Sequence, residues 1–143
     1  MSFTHRVVPT ALFCASLAWL TPAIAQSEHP IETELQRCMD ATESTHGMLG
    51  CSDTASGAWD GELNRVWKAL MSELGTAERE PLRVAQRKWV VFRDAEKLAL
   101  EAAYGAMQGS MYQIMHTDAV SALTRDRVRQ LESLLEAQRS SAG

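Results

Sequence analysis

The feature that most constrains the fold is the spacing of apolar residues in the middle of the chain. Leu82, Ala85, Trp89 and Phe92 follow one another at steps of three and four residues. That spacing lays one apolar stripe along an α-helix and lacks the alternation of a strand. The polar residues beside the stripe either tie the helix to a neighbouring element or face a partner. They are Gln86, Arg93 and Asp94.

The same helical periodicity recurs on both sides of this stretch. It predicts a short helix over residues 31–39, then a long helix that begins between residues 45 and 52 and ends near Leu74. The central helix is predicted to have Pro81 in its first turn and to run to Tyr104. The last helix is predicted to have Ser110 as its N-cap, with Gln113 completing a capping box, and to end near Ala137. The connections are short, which favours an all-α, antiparallel bundle of three long helices after a short N-terminal one.

The central helix carries two apolar seams. The first contains Leu82, Ala85, Trp89, Phe92, Ala99 and Ala103, and the second contains Val84, Val91, Ala95, Leu98 and Ala102. A helix that is apolar on two sides is expected to lie centrally, with a neighbour on each side. On this pattern we predict that Trp89 is a core residue.

The first 25 residues have the features of a cleaved signal peptide. Arg6 precedes an apolar run over residues 7–20, and Ala23-Ile24-Ala25 fits the rule for cleavage before Gln26. The run is too short and interrupted for a good membrane span, and Phe13 before Cys14 disfavours a lipid anchor. We therefore predict a signal peptide over residues 1–25 and a single domain over residues 26–143, with no membrane span in the mature chain.

The net charge limits the classes of partner. Residues 1–25 contain Arg6 and no acidic residue, so the −4 of the whole chain becomes −5 for residues 26–143. A net negative charge argues against a nucleic-acid binder. It is mildly compatible with a cationic protein partner, but simple solubility is the interpretation that we favour.

Two cysteines remain after the predicted cleavage site. In an exported chain, an even number of cysteines favours a disulfide, here between Cys38 and Cys51. A metal-binding pair is the alternative, with His46 as the only nearby candidate ligand. A disulfide places the protein in the periplasm or outside the cell.

Motifs for catalysis are absent from the sequence. There is no His-Glu-x-x-His, no glycine-rich phosphate loop and no Gly-x-Ser-x-Gly. We therefore predict a protein that is not an enzyme, with no catalytic residues, metal or cofactor. Met107, Met111 and Met115 have helical spacing and either fill a core, which we favour, or face a partner.

Several short pieces occur in an order that is more specific than any one of them. They are Cys38 and Cys51, Glu62-Leu63-Asn64 with Trp67, Leu82, Ala85-Gln86-Arg87-x-Trp89, Phe92-Arg93-Asp94, Gly109-Ser110, Thr124-x-x-Arg127 and Leu131. Behind a signal peptide, this ordered set resembles the LprI-type lysozyme-inhibitor N-terminal domain of exported bacterial proteins. The resemblance covers residues 38–131.

The chain departs from the family pattern at two cysteine positions. Lys97 and Ala119 stand where the family usually has a third and a fourth cysteine, and Trp67 stands where it commonly has Tyr. Both cysteines are missing together, as expected if they form one bridge. Lys97 and Ala119 lie at similar distances from the turn in the predicted hairpin, so we expect their Cα atoms to lie close together.

The resemblance implies an exported, non-enzymatic protein that binds a lysozyme-type glycosidase and occludes its cleft. One alternative is a periplasmic adaptor or immunity-type protein that binds another envelope protein, and another is a stress-linked structural domain with no dedicated ligand. The family-motif residues have a structural or a partner-binding role. They are Asn64, Gln86, Trp89, Arg93, Asp94, Gly109, Ser110, Thr124 and Arg127. Because Arg93 and Asp94 are adjacent, we predict that each has its own partner.

Overall fold

Four helices make up almost all of the computed structural model, which describes residues 28–141. They are α1 (Pro30–Asp40), α2 (Thr45–Glu73), α3 (Thr76–Gly105) and α4 (Ser110–Ser141). No strand occurs within this described part of the chain. The predicted all-α bundle of three long helices after a short one is therefore confirmed. The predicted signal peptide lies outside the described residues.

The core is formed between α2 and α4. The side chains of Val66, Val128 and Leu131 have no exposed surface, and that of Trp59 is almost as inaccessible. The core residues of α2 recur at steps of three and four, so one side of this helix packs against α4 along most of its length. The core residues are Trp59, Leu63, Val66, Leu70, Leu74, Val128, Leu131 and Leu135.

A disulfide joins α1 to α2. Cys38 and Cys51 are bonded, with their Cα atoms 5.7 Å apart, which confirms the predicted pairing. Closing a loop of this length stabilises the fold by about 3 kcal/mol on the chain-entropy model. An ion pair adds a link to α4, since Arg125 Nη1 lies 3.2 Å from Glu32 Oε1. The short first helix, which has no buried residue of its own, is thus held by the disulfide, the ion pair and the packing of Ile31 against the core.

The position of α3 differs from the prediction. Leu82 and Trp89 pack against the core, but no residue of α3 is buried. Phe92 is 52% exposed, and the second seam has no neighbour among residues 28–141: Val91 is 71% exposed and Leu98 is 69% exposed. The prediction of a central position was therefore wrong. The physical reason is that the larger apolar side chains of α2 pair directly with α4, and α3 packs beside this pair.

Two predicted helix starts were also wrong. Helix α3 begins at Thr76, so Pro81 lies inside it rather than in its first turn. Arg79 supports this early start, because its Nε donates to the carbonyl of Leu74 at 2.8 Å. Ser110 is the first residue of α4 and not its N-cap. The carbonyl of Gly109 accepts the Tyr112 amide at 3.2 Å, and the Ser110 hydroxyl lies 3.4 Å from that of Thr45.

Within the described residues, no helix is both long enough and apolar enough to cross a membrane.

Candidate partner-binding site

An open cleft between α2 and α3 gathers several of the family-motif residues. It has a volume of about 390 Å³ and is named the Trp89 cleft below. From α2 it is lined by Asp60, Leu63, Asn64 and Trp67, and from α3 by Gln86, Trp89, Val90 and Arg93. Hydrogen bonds link Asp94, Thr124 and Arg127 to Arg93, Asp60 and Gln86 of this lining. Gly109 and Ser110 lie elsewhere.

Trp89 lies beside two guanidinium groups. The Cζ atom of Arg93 is 5.3 Å from the ring centroid, and that of Arg127 is 5.8 Å from it. Cation–π contacts of this kind stabilise by about 0.5–1 kcal/mol at partly exposed sites. The indole therefore joins α3 to α4 as well as packing against the core. Its predicted core role is met only in part, because Trp89 is half-buried.

Arg127 is held without a carboxylate partner among residues 28–141. Its Nε donates to Gln86 Oε1 at 2.9 Å, and its Nη1 donates to Gln130 Oε1 at 3.1 Å. Burial lowers the pKa of Arg127 below its usual value, but a guanidinium remains charged at neutral pH. The Gln86 amide and the Trp89 ring thus stabilise a partly buried charge. This gives Gln86, Trp89 and Arg127 a structural role in joining α3 to α4.

Arg93 and Asp94 form an ion pair, contrary to the prediction. Arg93 donates to Asp94 Oδ1 from Nε at 3.0 Å and from Nη2 at 2.8 Å. The prediction was wrong because an arginine side chain is long enough to bend back to the carboxylate of the next residue. The Asp94 side chain is 57% exposed, so the pair contributes at most about 1 kcal/mol. Its effect is to hold the Arg93 guanidinium at the edge of the cleft.

Asp60 connects the cleft to α4 and was not predicted. Thr124, which is buried, donates from Oγ1 to Asp60 Oδ1 at 3.4 Å. The exposed Asn64 donates from Nδ2 to the backbone carbonyl of Asp60 at 2.9 Å, one helical turn away. The Asp60–Thr124 contact joins residues 64 positions apart, so no local spacing in the sequence indicates it.

Gly109 and Ser110 lie at the turn between α3 and α4. Gly109 has φ +115°, a conformation that L side chains rarely adopt, so a glycine is required for this turn. A separate cleft of about 630 Å³ adjoins the turn and includes Tyr104, Met107 and His116 among its lining residues. The methionines were predicted to fill a core, and this was wrong. Met107, Met111 and Met115 are all exposed, because α2 reaches this turn only through Thr45 and Leu49 and leaves the three methionine side chains uncovered.

A second polar cluster joins three elements and was also missed. His29 Nε2 lies 3.9 Å from Glu62 Oε1 and 3.8 Å from Glu132 Oε1. The three residues are far apart in sequence, so no spacing rule relates them. Their ligand atoms lie within 4.8 Å of one another, close enough to ask whether they hold a metal ion.

The hydrogen bonding of His29 disfavours a metal. Its Nδ1 accepts the Ile31 amide at 3.2 Å and so caps α1, which leaves the ring proton on Nε2. A metal-bound histidine instead donates from its other nitrogen. Binding through Nε2 would therefore break the helix cap. The ring also packs on Trp59, with the centroids 4.4 Å apart. This cluster is structural.

Arg65 sets the ionisation of Glu62 in the same cluster. A hydrogen bond from Arg65 Nε, 2.8 Å from Glu62 Oε2, is the main reason that the pKa of Glu62 is lowered. Partial burial acts in the opposite direction, and the positive charge of Arg65 adds to the lowering. Glu62 is therefore ionised at neutral pH.

Comparisons with known proteins agree with the ordered motif set. Residues 38–131 match the family described as Lysozyme inhibitor LprI. An uncharacterized protein of Rhizobium meliloti is 27% identical over 99 residues, which cover 60% of this chain and 70% of that protein. The crystal structure of an uncharacterized protein from Burkholderia thailandensis has a TM-score of 0.72 and 26% identity. That match covers 78% of this chain and 56% of the other, so the chain spans little more than half of that protein. The family match includes the disulfide and every helix that lines the Trp89 cleft, and the chain belongs to the LprI lysozyme-inhibitor family.

Proposed function

We propose that this protein is an exported, non-enzymatic inhibitor that binds a lysozyme-type glycosidase and occludes its cleft. The observation that carries the proposal is the family match over residues 38–131. The family is one of inhibitors, and the disulfide between Cys38 and Cys51 suits an oxidising compartment outside the cytoplasm.

We place the enzyme contact at the Trp89 cleft. In support, the cleft is open and its rim combines the exposed amide of Asn64 with the guanidinium of Arg93. Lysozyme-type enzymes cleave with two carboxyl groups in an open cleft. Arg93 donates from Nε and Nη2 to Asp94, so its Nη1 group is the donor that we assign to an enzyme carboxylate. The Asn64 amide can both donate and accept hydrogen bonds. Asn64 and Arg93 are thus the side chains that we assign to the contact.

The remaining motif residues support the shape of this surface. Gln86, Trp89 and Arg127 hold α3 to α4, and Thr124 fixes Asp60. A rigid rim lowers the entropy lost on binding, since fewer side chains must be ordered when the enzyme docks.

The test is an inhibition assay of the purified protein against lysozymes of several structural types. The proposal predicts concentration-dependent loss of glycosidase activity for at least one type at micromolar protein. If every type stays fully active, the inhibitor assignment is wrong. In that case capture of another envelope protein on the immobilised chain would favour the adaptor or immunity-type alternative.

A further inference from the structure

The side of α3 that faces away from the core is apolar. It is named the outer face of α3 and consists of Val84, Val91, Ala95, Leu98 and Ala102. All five residues are exposed, and none of residues 28–141 covers them. The three with the largest side chains are Val84, Val91 and Leu98. Consecutive members are seven residues apart, which is about two helical turns, so they form a straight stripe. Leu82 and Trp89, which pack on the core, lie on the opposite side of the helix.

Charges along one flank of the outer face change sign at its centre. Arg83 and Arg87 precede Val91, and Asp94 and Glu101 follow it. Arg87 and Asp94 are two turns apart, and Arg83 and Glu101 are five turns apart, so all four lie on one side of the apolar stripe. Glu80 neutralises part of the basic half, because its carboxylate lies 3.1 Å from Arg87 Nη2 and 3.6 Å from Arg83 Nη1.

We propose that two copies of this chain associate through the outer faces of α3, antiparallel, with a two-fold axis at Val91. A two-fold axis there brings Val91 against its own copy and Val84 against the Leu98 of the second copy. This inference does not rest on the proposed inhibitor function.

The charged flank selects the antiparallel arrangement. Arg87 is four residues before the axis and Asp94 is three after it, so their positions differ by about 1.5 Å along the helix. Arg83 and Glu101 are eight and ten residues from the axis and differ by about 3 Å. Each basic residue therefore meets an acidic residue of the second copy. A parallel pair would set this flank beside the opposite flank of the second copy, where Lys88 is present and no acidic residue is, so the basic half would have no acidic partner.

The size of the contact sets the expected strength. Helix α3 has 30 residues and is about 45 Å long. A single pair of helices buries an area near the lower limit for a specific interface. We therefore expect a dimer that forms at micromolar or higher concentration and dissociates on dilution.

The test is sedimentation of the purified protein over a concentration series, with charge-swap variants Arg87→Glu and Asp94→Arg. Each variant alone repeats a like-charge contact twice, and we expect dimerisation at least about tenfold weaker than for the wild type. An equimolar mixture of the two variants pairs the swapped charges with each other and should restore dimerisation. Circular dichroism of each variant checks that the fold is intact.

Three results would overturn the proposal. The first is a monomer at every concentration. In that case the outer face would contact another protein or a segment outside residues 28–141, and not a second copy. The second is a dimer that neither charge swap weakens, which would place the contact elsewhere. The third is a mixture that dimerises no better than its components. Val91→Cys is an independent check, because a residue on the axis should form a symmetric intermolecular disulfide on oxidation, whereas Val84→Cys alone should not.

Discussion

Trp89 is in contact with the core and with two guanidinium groups, although the side chain is only half-buried. A fully buried tryptophan replaced by alanine costs about 3–5 kcal/mol, because apolar contacts are lost and a cavity remains. For Trp89→Ala we expect a smaller decrease in the free energy of unfolding, about 2–3 kcal/mol. Chemical denaturation measures it.

Phe92→Ala is the matched control for that variant. Phe92 lies on the same helix and in the same predicted stripe, but it is 52% exposed. Its replacement should change the stability by less than about 0.5 kcal/mol. Equal losses for the two variants would contradict the position of α3 described above.

The pH dependence of stability tests the His29 cluster. The folded-state pKa of Glu62 is lowered. Its contribution to the free energy of unfolding is therefore fully present at pH values above its unfolded-state pKa of about 4.3. That contribution is lost as pH falls through the folded-state value. Glu62→Gln should therefore be less stable than the wild type at neutral pH, by under about 1 kcal/mol, and the difference should vanish in acid. Thermal unfolding between pH 3 and 7 measures this.

Glu136→Gln serves as the comparison, since Glu136 is exposed on α4 and forms no ion pair with residues 28–141. The difference in free energy of unfolding between Glu136→Gln and the wild type should stay constant between pH 3 and 7. If Glu62→Gln behaved in the same way as Glu136→Gln, the bond to Arg65 would not be important in solution.

At the scale of elements, the pairing of α3 with α4 can be tested at the positions where the family has cysteines. Lys97 shares a small cleft with Thr117 and Val120, which flank Ala119 in sequence. We predict that the double variant Lys97→Cys with Ala119→Cys oxidises to a disulfide. It should raise the free energy of unfolding by roughly 2–4 kcal/mol, less any strain.

The readout is thiol labelling before and after reduction, followed by denaturation. The protein with only Lys97→Cys is the control and should keep a free thiol. Complete labelling of the double variant without reductant would place these Cα atoms beyond the 4.4–6.8 Å range that a disulfide needs.

The elements were predictable to different extents. The faces of α2 and α4 followed from periodicity because their large apolar residues have a single partner surface. The position of α3 did not follow, because an apolar seam indicates only that a face is suited to burial. Val91 and Leu98 are as apolar as core residues, yet no part of residues 28–141 covers them. Periodicity does not distinguish a core seam from a contact with another molecule.

The candidate site was predictable as a set of residues but not as a surface. The ordered motifs identified Asn64, Gln86 and Arg93, which the fold brings to one cleft. Asp60 and the His29 cluster depend on contacts between helices that are far apart in sequence. Long-range contacts of that kind follow only from how the helices pack.

For the whole molecule, the net charge of −5 over residues 26–143 bears on association with a cationic enzyme. Opposite charges raise the association rate, and salt screens them over about 8 Å at physiological ionic strength. We predict that added salt weakens inhibition mainly by slowing association, with a smaller effect on dissociation. Surface plasmon resonance at several salt concentrations separates the two rates. An association rate that does not vary with salt would exclude electrostatic steering.

The most direct test of the proposed binding surface compares two variants with the same charge change. Asn64→Arg places a long side chain at the rim of the Trp89 cleft, and Gln36→Arg places one on α1, which does not line it. Both parent residues are exposed amides, so both variants should fold.

The measurement is the inhibition constant of each variant against a lysozyme that the wild type inhibits. If the enzyme docks on the Trp89 cleft, Asn64→Arg should weaken inhibition at least about tenfold and Gln36→Arg less than about twofold. Equal inhibition constants for the two variants would contradict the assignment of this cleft as the binding surface.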